Sequence, residues 1–262
     1  MTLDPVAQTS RLTAALRARE SARPDALFTD PFAARLAGEA GTALLAEFGD
    51  NSTIAVRTRF FDDVITAAEA RQLVILAAGM DSRAFRLALP EDAELYEVDR
   101  PEVLRLKDSL ITEAPVCRRV SVGADLTGDW AEPLLAAGFE QGRPTCWLAE
   151  GVMQYLAAVD VAALLDRVTG LSAAGSLLLT DFVGQSLLDS PALRPMLELF
   201  AAHDMTWRFG TDQPEELLEP LGWRADVVLI SEVGTALNRW PFPAAARNAT
   251  GVGQGYFVRA RC

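Results

Sequence analysis

Residues 73–87, LVILAAGMDSRAFRL, constrain the fold more tightly than any other stretch of the chain. Bulky aliphatic residues give way abruptly to Ala77, Ala78 and Gly79, and a segment of helical pattern follows Asp81 and Ser82. A buried strand that turns through small residues into a helix is the opening unit of a parallel α/β sheet, whose ligands lie at the carboxyl ends of the strands. The small side chains let such a ligand approach the main chain closely. Twenty residues beyond Gly79, the apolar run ELYEVD ends on Asp99. A carboxylate there can accept two hydrogen bonds from the vicinal hydroxyls of a ribose. Taken alone, Asp99 could simply cap the helix that Pro101 opens, and a small-residue turn could serve packing only. Together the two features point to a nucleoside, although the turn does not read G-x-G-x-x-G.

Short aliphatic or aromatic runs predict seven strands, near Leu73–Ala78, Glu94–Val98, Arg119–Ala124, Thr145–Ala149, Ser176–Phe182, Ala225–Ile230 and Tyr256–Ala260. Segments of helical period separate the first five; Val161, Leu164, Leu165 and Val168, for example, form one apolar stripe. The expected fold class is therefore α/β, a doubly wound, mostly parallel seven-stranded sheet. After Gly222 the strands lie too close for a long crossover helix, which predicts a terminal antiparallel arrangement. Residues 1–71 lack a strand signal and carry helical patterns at Val6–Glu20, Pro31–Phe48 and Thr53–Arg71, read as an N-terminal helical cap. Asp30 before Pro31 predicts an N-cap and first-turn proline. No linker or repeat divides the chain, so 1–262 is read as a single domain: the cap at 1–71 and an α/β core at 72–262.

Composition narrows the partners. Twenty-four basic against 36 acidic side chains leave a net charge of −12, a field that repels nucleic acid and anionic membrane surfaces. No apolar run reaches the roughly 18 residues of a membrane span. Cys117, Cys146 and Cys262 are scattered and odd in number, which fits a reducing cytoplasm better than a disulfide framework. The single histidine, His203, excludes metal sites that need two, and no metal is expected.

Two further strand ends carry acids. Asp125 and Leu126 follow the third strand; Asp125 taken alone is more plausibly a solvated loop residue. Glu150 ends the fourth, between the apolar runs Cys146–Ala149 and Val152–Tyr155, where a buried carboxylate needs a nearby cation.

In order and spacing, ARESARPDALFTDPFA (18–33), VRTRFFDD (56–63), ILAAGMDSRAFRL (75–87), YEVDRPEVLRLK (96–107), GADLTGDW (123–130), GRPTCWLAEGVMQYL (142–156) and WRFGTDQPEELLEPLGW (207–223) resemble the leucine carboxyl methyltransferase family. The resemblance is to its bacterial small-molecule O-methyltransferase branch, and it runs almost end to end. It implies a Rossmann-like methyltransferase fold and S-adenosyl-L-methionine as cofactor. By the same resemblance Ala78 and Gly79 would lie against the methionine part, Asp99 would hold the ribose, and Asp125 with Leu126 would bracket adenine. Arg19 and Arg57 match basic positions suited to the cofactor carboxylate, Glu150 matches an acidic position near its ammonium, and Tyr155 matches a tyrosine that orients the acceptor. Arg57 is preferred to Arg59 as the inward residue because it lies one turn from Phe60 and Phe61. One departure stands out: Ala77 occupies a position where the family usually has glycine, which matters if the backbone there needs a positive φ.

The implied chemistry is displacement at an activated methyl, and a carboxylate acceptor, already ionised at neutral pH, needs no base. That favours methylation of a small-molecule acid, a natural-product intermediate being one candidate, with Tyr155 and Arg57 as the catalytic residues. A phenol or alcohol acceptor would require His203 as base, although that residue reads better as an ordinary helix position. The apolar segment 184–209 is expected to form a lid over the acceptor, or else ordinary core. A nicotinamide-dependent oxidoreductase and a non-catalytic cofactor-binding protein are the remaining alternatives.

Overall fold

The computed structural model describes residues 4–243, 245–247, 249 and 251–262. Strand β1 (Gln72–Leu76) is buried on both faces, as a central parallel strand must be. Its side chains alternate: Leu73 and Ile75 join one apolar cluster, and Val74 and Leu76 join the other. The remaining strands are β2 (Glu94–Asp99), β3 (Arg118–Gly123), β4 (Cys146–Ala149), β5 (Leu177–Val183), β6 (Arg224–Leu229) and β7 (Gly255–Arg261). They form one sheet in the order β3-β2-β1-β4-β5-β7-β6. The β1 to β5 pairings are all parallel, and β7 runs antiparallel to both β5 and β6. This is the doubly wound, terminally antiparallel sheet that the strand pattern predicts. Chain order reverses between β1 and β4, which opens a crevice at their carboxyl ends.

Three N-terminal helices, α1 (Pro5–Ser21), α2 (Ala33–Phe48) and α3 (Ser52–Ala68), place Ala14, Leu36, Val56, Phe61 and Ile65 in the cluster that also holds Leu73 and Ile75. They are thus one face of the sandwich as well as a cap. The helical pattern after Ser82 forms the single turn α4 (Arg83–Arg86), and its Phe85 and the following Leu87 share that cluster. The other helices are α5 (Pro101–Leu110), α6 (Ala131–Ala136), α7 (Ala158–Leu171), α8 (Gln185–Leu188), α9 (Arg194–Ala202), α10 (Glu215–Leu218) and α11 (Ile230–Ala236). The α7 stripe Val161, Leu164, Leu165 and Val168 is buried against the opposite face.

Two expectations need correction. Helix α2 begins at Ala33, with Phe32 in the capping position. Asp30 accepts the Phe32 N–H, but its second carboxylate oxygen turns inward to Arg17 and Ser82, so it closes a turn before the helix. The first strand stops at Leu76 because Ala77 adopts φ +52°, which breaks the extended run.

Candidate functional site

A cavity of about 340 Å3 occupies the crevice, lined by α1, the 77–81 turn, the ends of β2 and β3, and the segment after β4. That volume lies in the range of cofactor-sized sites. Its floor is set by the turn. Gly79 has φ +47°, and a Cβ there would meet the Ser10 Cβ at 2.7 Å, so both the backbone and the close approach of α1 demand glycine. Ala77 holds a left-handed conformation without that freedom, at a cost of roughly 1–2 kcal/mol. Ala77→Gly should therefore leave the protein as stable or raise it by up to about 1 kcal/mol, where a glycine placed elsewhere destabilises. Thermal melts check this; a loss of several degrees would refute it.

Asp99 fastens the turn to the second strand. Its two oxygens accept the Gly79 N–H at 2.6 Å and the Arg100 N–H at 2.7 Å, so half of its lone pairs stay open toward the cavity. Burial pushes this carboxyl above its ordinary value, against the pull of those two N–H groups. Asp125 and Leu126 line the same cavity; Asp125 is exposed and accepts the Thr127 N–H and hydroxyl.

On the other side of the turn lies a network of buried and nearly buried charge. Arg57 donates through Nε to Glu150 at 2.9 Å and through Nη1 to Asp181 at 3.1 Å. Arg83, 2% exposed, donates to Asp62 at 2.7 Å, pairs with Asp81, and brings Nη2 to 2.9 Å from Glu150. Arg86 bonds the other Asp62 oxygen at 2.6 Å and the Ser82 hydroxyl at 3.0 Å; Ser82 in turn donates to Asp30 at 2.7 Å. Arg17 completes the chain, donating to Asp30 at 2.9 Å and to the Met80 carbonyl at 2.6 Å. Four guanidiniums thus face five carboxylates across α1, α3, α4, the turn, β4 and β5. Burial would raise Glu150 and Asp81, but Arg83 and Arg57 outweigh it for Glu150, and Arg83 leads in bringing Asp81 down to about 2. Asp181 goes the other way, raised by burial in spite of Arg57.

Of the residues singled out in the sequence, the cavity gathers Arg57, Ala78, Gly79, Asp99, Asp125, Leu126, Glu150 and Tyr155. Arg59 points outward to Asp63 and the Leu27 carbonyl. Arg19 is not brought to the cavity: it is exposed and pairs with Asp50 at 3.5 Å. Arg17 takes the place expected of it, two residues earlier and so about 200° around α1. His203 also lies elsewhere, with Nε2 at 2.7 Å from Glu47 and its ring edge-on to Phe48. No residue of 184–209 lines the cavity; that segment's apolar side chains are mostly half-buried, and Phe200 among them stacks on Phe48 of α2. Sequence reasoning missed Arg17, Arg83 and Asp181. Arg17 follows Ser10 and Thr13 on one helical face, and Asp181 is an acid inside an apolar strand, the same signal that marked Glu150.

A reversing α/β sheet with a strand-end nucleoside crevice is an arrangement shared with methyltransferases, and the comparisons agree. The fold matches a crystal structure of a DUF574 family protein from Streptomyces avermitilis (TM-score 0.62, 15% identity, 97% of this chain and 96% of that one). It also matches that of a SAM dependent methyltransferase from Archaeoglobus fulgidus (TM-score 0.54, 12% identity, 84% and 99%). The sequence profile of the leucine carboxyl methyltransferases matches residues 10–169. A Parafrankia protein provisionally named an S-adenosyl-L-methionine-dependent methyltransferase is 43% identical over 98% of this chain and 87% of its own. One from Mycobacterium avium with the same provisional name is 36% identical over 87% and 86%. The chain belongs to the leucine carboxyl methyltransferase family, which sets aside the nicotinamide-dependent reading.

Proposed function

We propose that the protein transfers a methyl group from S-adenosyl-L-methionine to a carboxylate oxygen of a small-molecule acid. The observation that carries this reading is the chemistry of the cavity wall near Tyr155. It offers donors, the Tyr155 hydroxyl and the Arg57 guanidinium, while the one imidazole of the chain is turned away toward Glu47.

The residues present fit the cofactor. Asp99 has lone pairs left for a ribose diol, and Leu126 with Val103 supplies an apolar flank for a base. Arg17, held by Asp30 and the Met80 carbonyl, and Arg57, held by Glu150 and Asp181, both reach the cavity, and each has a terminal nitrogen left for an amino-acid carboxylate. Glu150 and Asp81, kept ionised by Arg83, suit an ammonium. The surplus carboxylate of the network matches a ligand with net positive charge.

When bound, the cofactor would supply a methyl already activated on a sulfonium sulfur, which would keep the carbon–sulfur electron pair as the acceptor oxygen took the methyl. The chain's work is alignment and exclusion of water. Asp99 and the 77–81 turn fix one end of the site, and the arginines fix the other. Tyr155, whose phenol burial pushes above its usual value, stays protonated and can donate to the acceptor oxygen that does not attack. No proton has to leave a carboxylate acceptor, so no base is needed.

The test is methyl transfer from labelled cofactor to a panel of small carboxylic acids, phenols and amines, with alkali used to release methyl esters. Label on acids that alkali removes supports the reading; alkali-stable label, or none with cofactor bound, opposes it. Tyr155→Phe should lower turnover of the acid about tenfold or more with little change in cofactor affinity. Equal losses in both would remove Tyr155 from the acceptor side.

A further inference from the structure

We propose that Ser10 and Thr13 of α1 form an acceptor-only wall that recognises the positive charge of the cofactor's sulfonium and so separates S-adenosyl-L-methionine from its neutral thioether product. The inference rests on the cofactor orientation given above, with Asp99 at the ribose and Arg17 at the amino-acid carboxylate, and not on the nature of the acceptor. Helix α1 passes over the 77–81 turn along one line of side chains. Ser10 lies against Gly79: its Oγ is 3.5 Å from the point where a Gly79 Cβ would stand, and Gly79 is the residue whose N–H Asp99 accepts. Two helical turns on, roughly 10 Å along the axis, Arg17 donates to the Met80 carbonyl. Thr13 lies between them, and all three line the cavity. Sulfur is the atom that joins the ribose to the amino-acid chain, so a ligand held at its ends by Asp99 and Arg17 brings its charged centre under residues 10 and 13.

The hydroxyls at that place can only accept. Ser10 donates its proton to the Ala7 carbonyl at 2.6 Å and Thr13 donates to the Ser10 carbonyl at 2.9 Å, as Thr9 beside them does to the Val6 carbonyl at 2.6 Å. Each hydroxyl has one proton, so what it turns toward the cavity is lone pairs. The helix itself gains nothing from them: alanine is the better helix former, and Ser or Thr bonded back to its own turn destabilises slightly. The α1 residues that do not face the cavity, Ala14, Ala15 and Leu16, are apolar and buried. A row of lone pairs repels a carbonyl or carboxylate and attracts a cation. Hydrogens on the carbons next to a sulfonium are strongly polarised and donate weakly to oxygen, whereas those next to a neutral sulfur do so far less. The thioether product carries no charge at sulfur, so the wall holds it less tightly than the cofactor, which favours their exchange.

The experiment is a pair of calorimetric titrations, one with S-adenosyl-L-methionine and one with S-adenosylhomocysteine, on the parent, Ser10→Ala, Thr13→Val and the double variant. No acceptor is present, so methyl transfer plays no part in the readout. Each single change should weaken binding of the cofactor about threefold and the two together about tenfold, while S-adenosylhomocysteine stays within about twofold. Thr13→Ser, which keeps an accepting hydroxyl, should match the parent for both ligands. Ser10→Ala is read alone if Thr13→Val does not fold. Losses that are equal for the two ligands, larger for the product or absent for both would overturn the proposal. An Asp99→Ala protein that binds both ligands as the parent does would overturn the orientation and the inference with it. The titrations need no acid, so a charge-selective loss seen in a protein that methylates no acid would count against the proposed function and leave the roles of Ser10 and Thr13 standing.

Discussion

Arg83→Ala should destabilise the protein by about 3–5 kcal/mol, the cost of leaving buried carboxylates without their cation. For a chain of this size that is a fall of roughly 10 °C or more in Tm. Among the described residues, Arg83 is the one side chain that touches α3 through Asp62, the turn through Asp81 and the end of β4 near Glu150. Its removal leaves the Asp62 oxygen that Arg86 does not hold most closely, the Asp81 carboxylate and one Glu150 oxygen in low dielectric with weakened partners. Asp81 and Glu150, now depressed, should then be easier to protonate. Arg83→Lys keeps the charge but not the fork, so it should recover only part of the loss. Urea titration of the three proteins checks the order. An Arg83→Ala protein within about 1 kcal/mol of the parent would show that the network is solvated and weak.

Asp99→Ala should weaken binding of S-adenosylhomocysteine by about 2–4 kcal/mol, some thirty-fold to several hundred-fold. Two effects combine in it. The hydrogen bonds from Asp99 to the ribose would be lost, and the Gly79 N–H, now held at 2.6 Å, would lose its acceptor, so the turn beneath the ligand would loosen. Asp99→Asn separates these effects only in part: its amide oxygen can still take the Gly79 N–H and its NH2 can reach one ribose hydroxyl, but that NH2 also stands where an oxygen accepts the Arg100 N–H. That variant should lie between alanine and the parent in a calorimetric titration. Unchanged affinity in Asp99→Ala would take the residue out of the binding site and leave it as the clasp of the turn alone.

What the sequence discloses and what it hides follow from the range of each interaction. The sheet was legible because burial on both faces writes continuous apolar runs such as LVIL and CWLA, and strand-end acids stand out against them. Glu150 announced a cation, and the structure supplies two, Arg57 and Arg83. Which cations, however, depends on contacts between residues 57, 83 and 150, and no local pattern encodes a pairing across that separation. Arg19 shows the angular limit of sequence reading. A motif gives the neighbourhood to within a residue or two, but on a helix two residues are more than half a turn, and only the packing of Leu12 and Leu16 on Ile54 decides that Arg17 faces inward. Ala77 is the reverse case: its positive φ was posed as a condition by the glycine it replaces, and the turn meets that condition at +52°. The fate of 184–209 was beyond reach, because half-buried apolar residues at helical spacing look the same whether they cover a ligand or one another.

The most direct test of the account is a calorimetric titration of the purified protein with S-adenosylhomocysteine, run beside one with NAD. The account predicts saturable one-to-one binding of the first, lost in large part in Asp99→Ala, and no heat of binding from the second. Binding of NAD, or of neither, would mean that the crevice at the ends of β1 and β4 does not hold the family's cofactor and that the chain shares its fold without its chemistry.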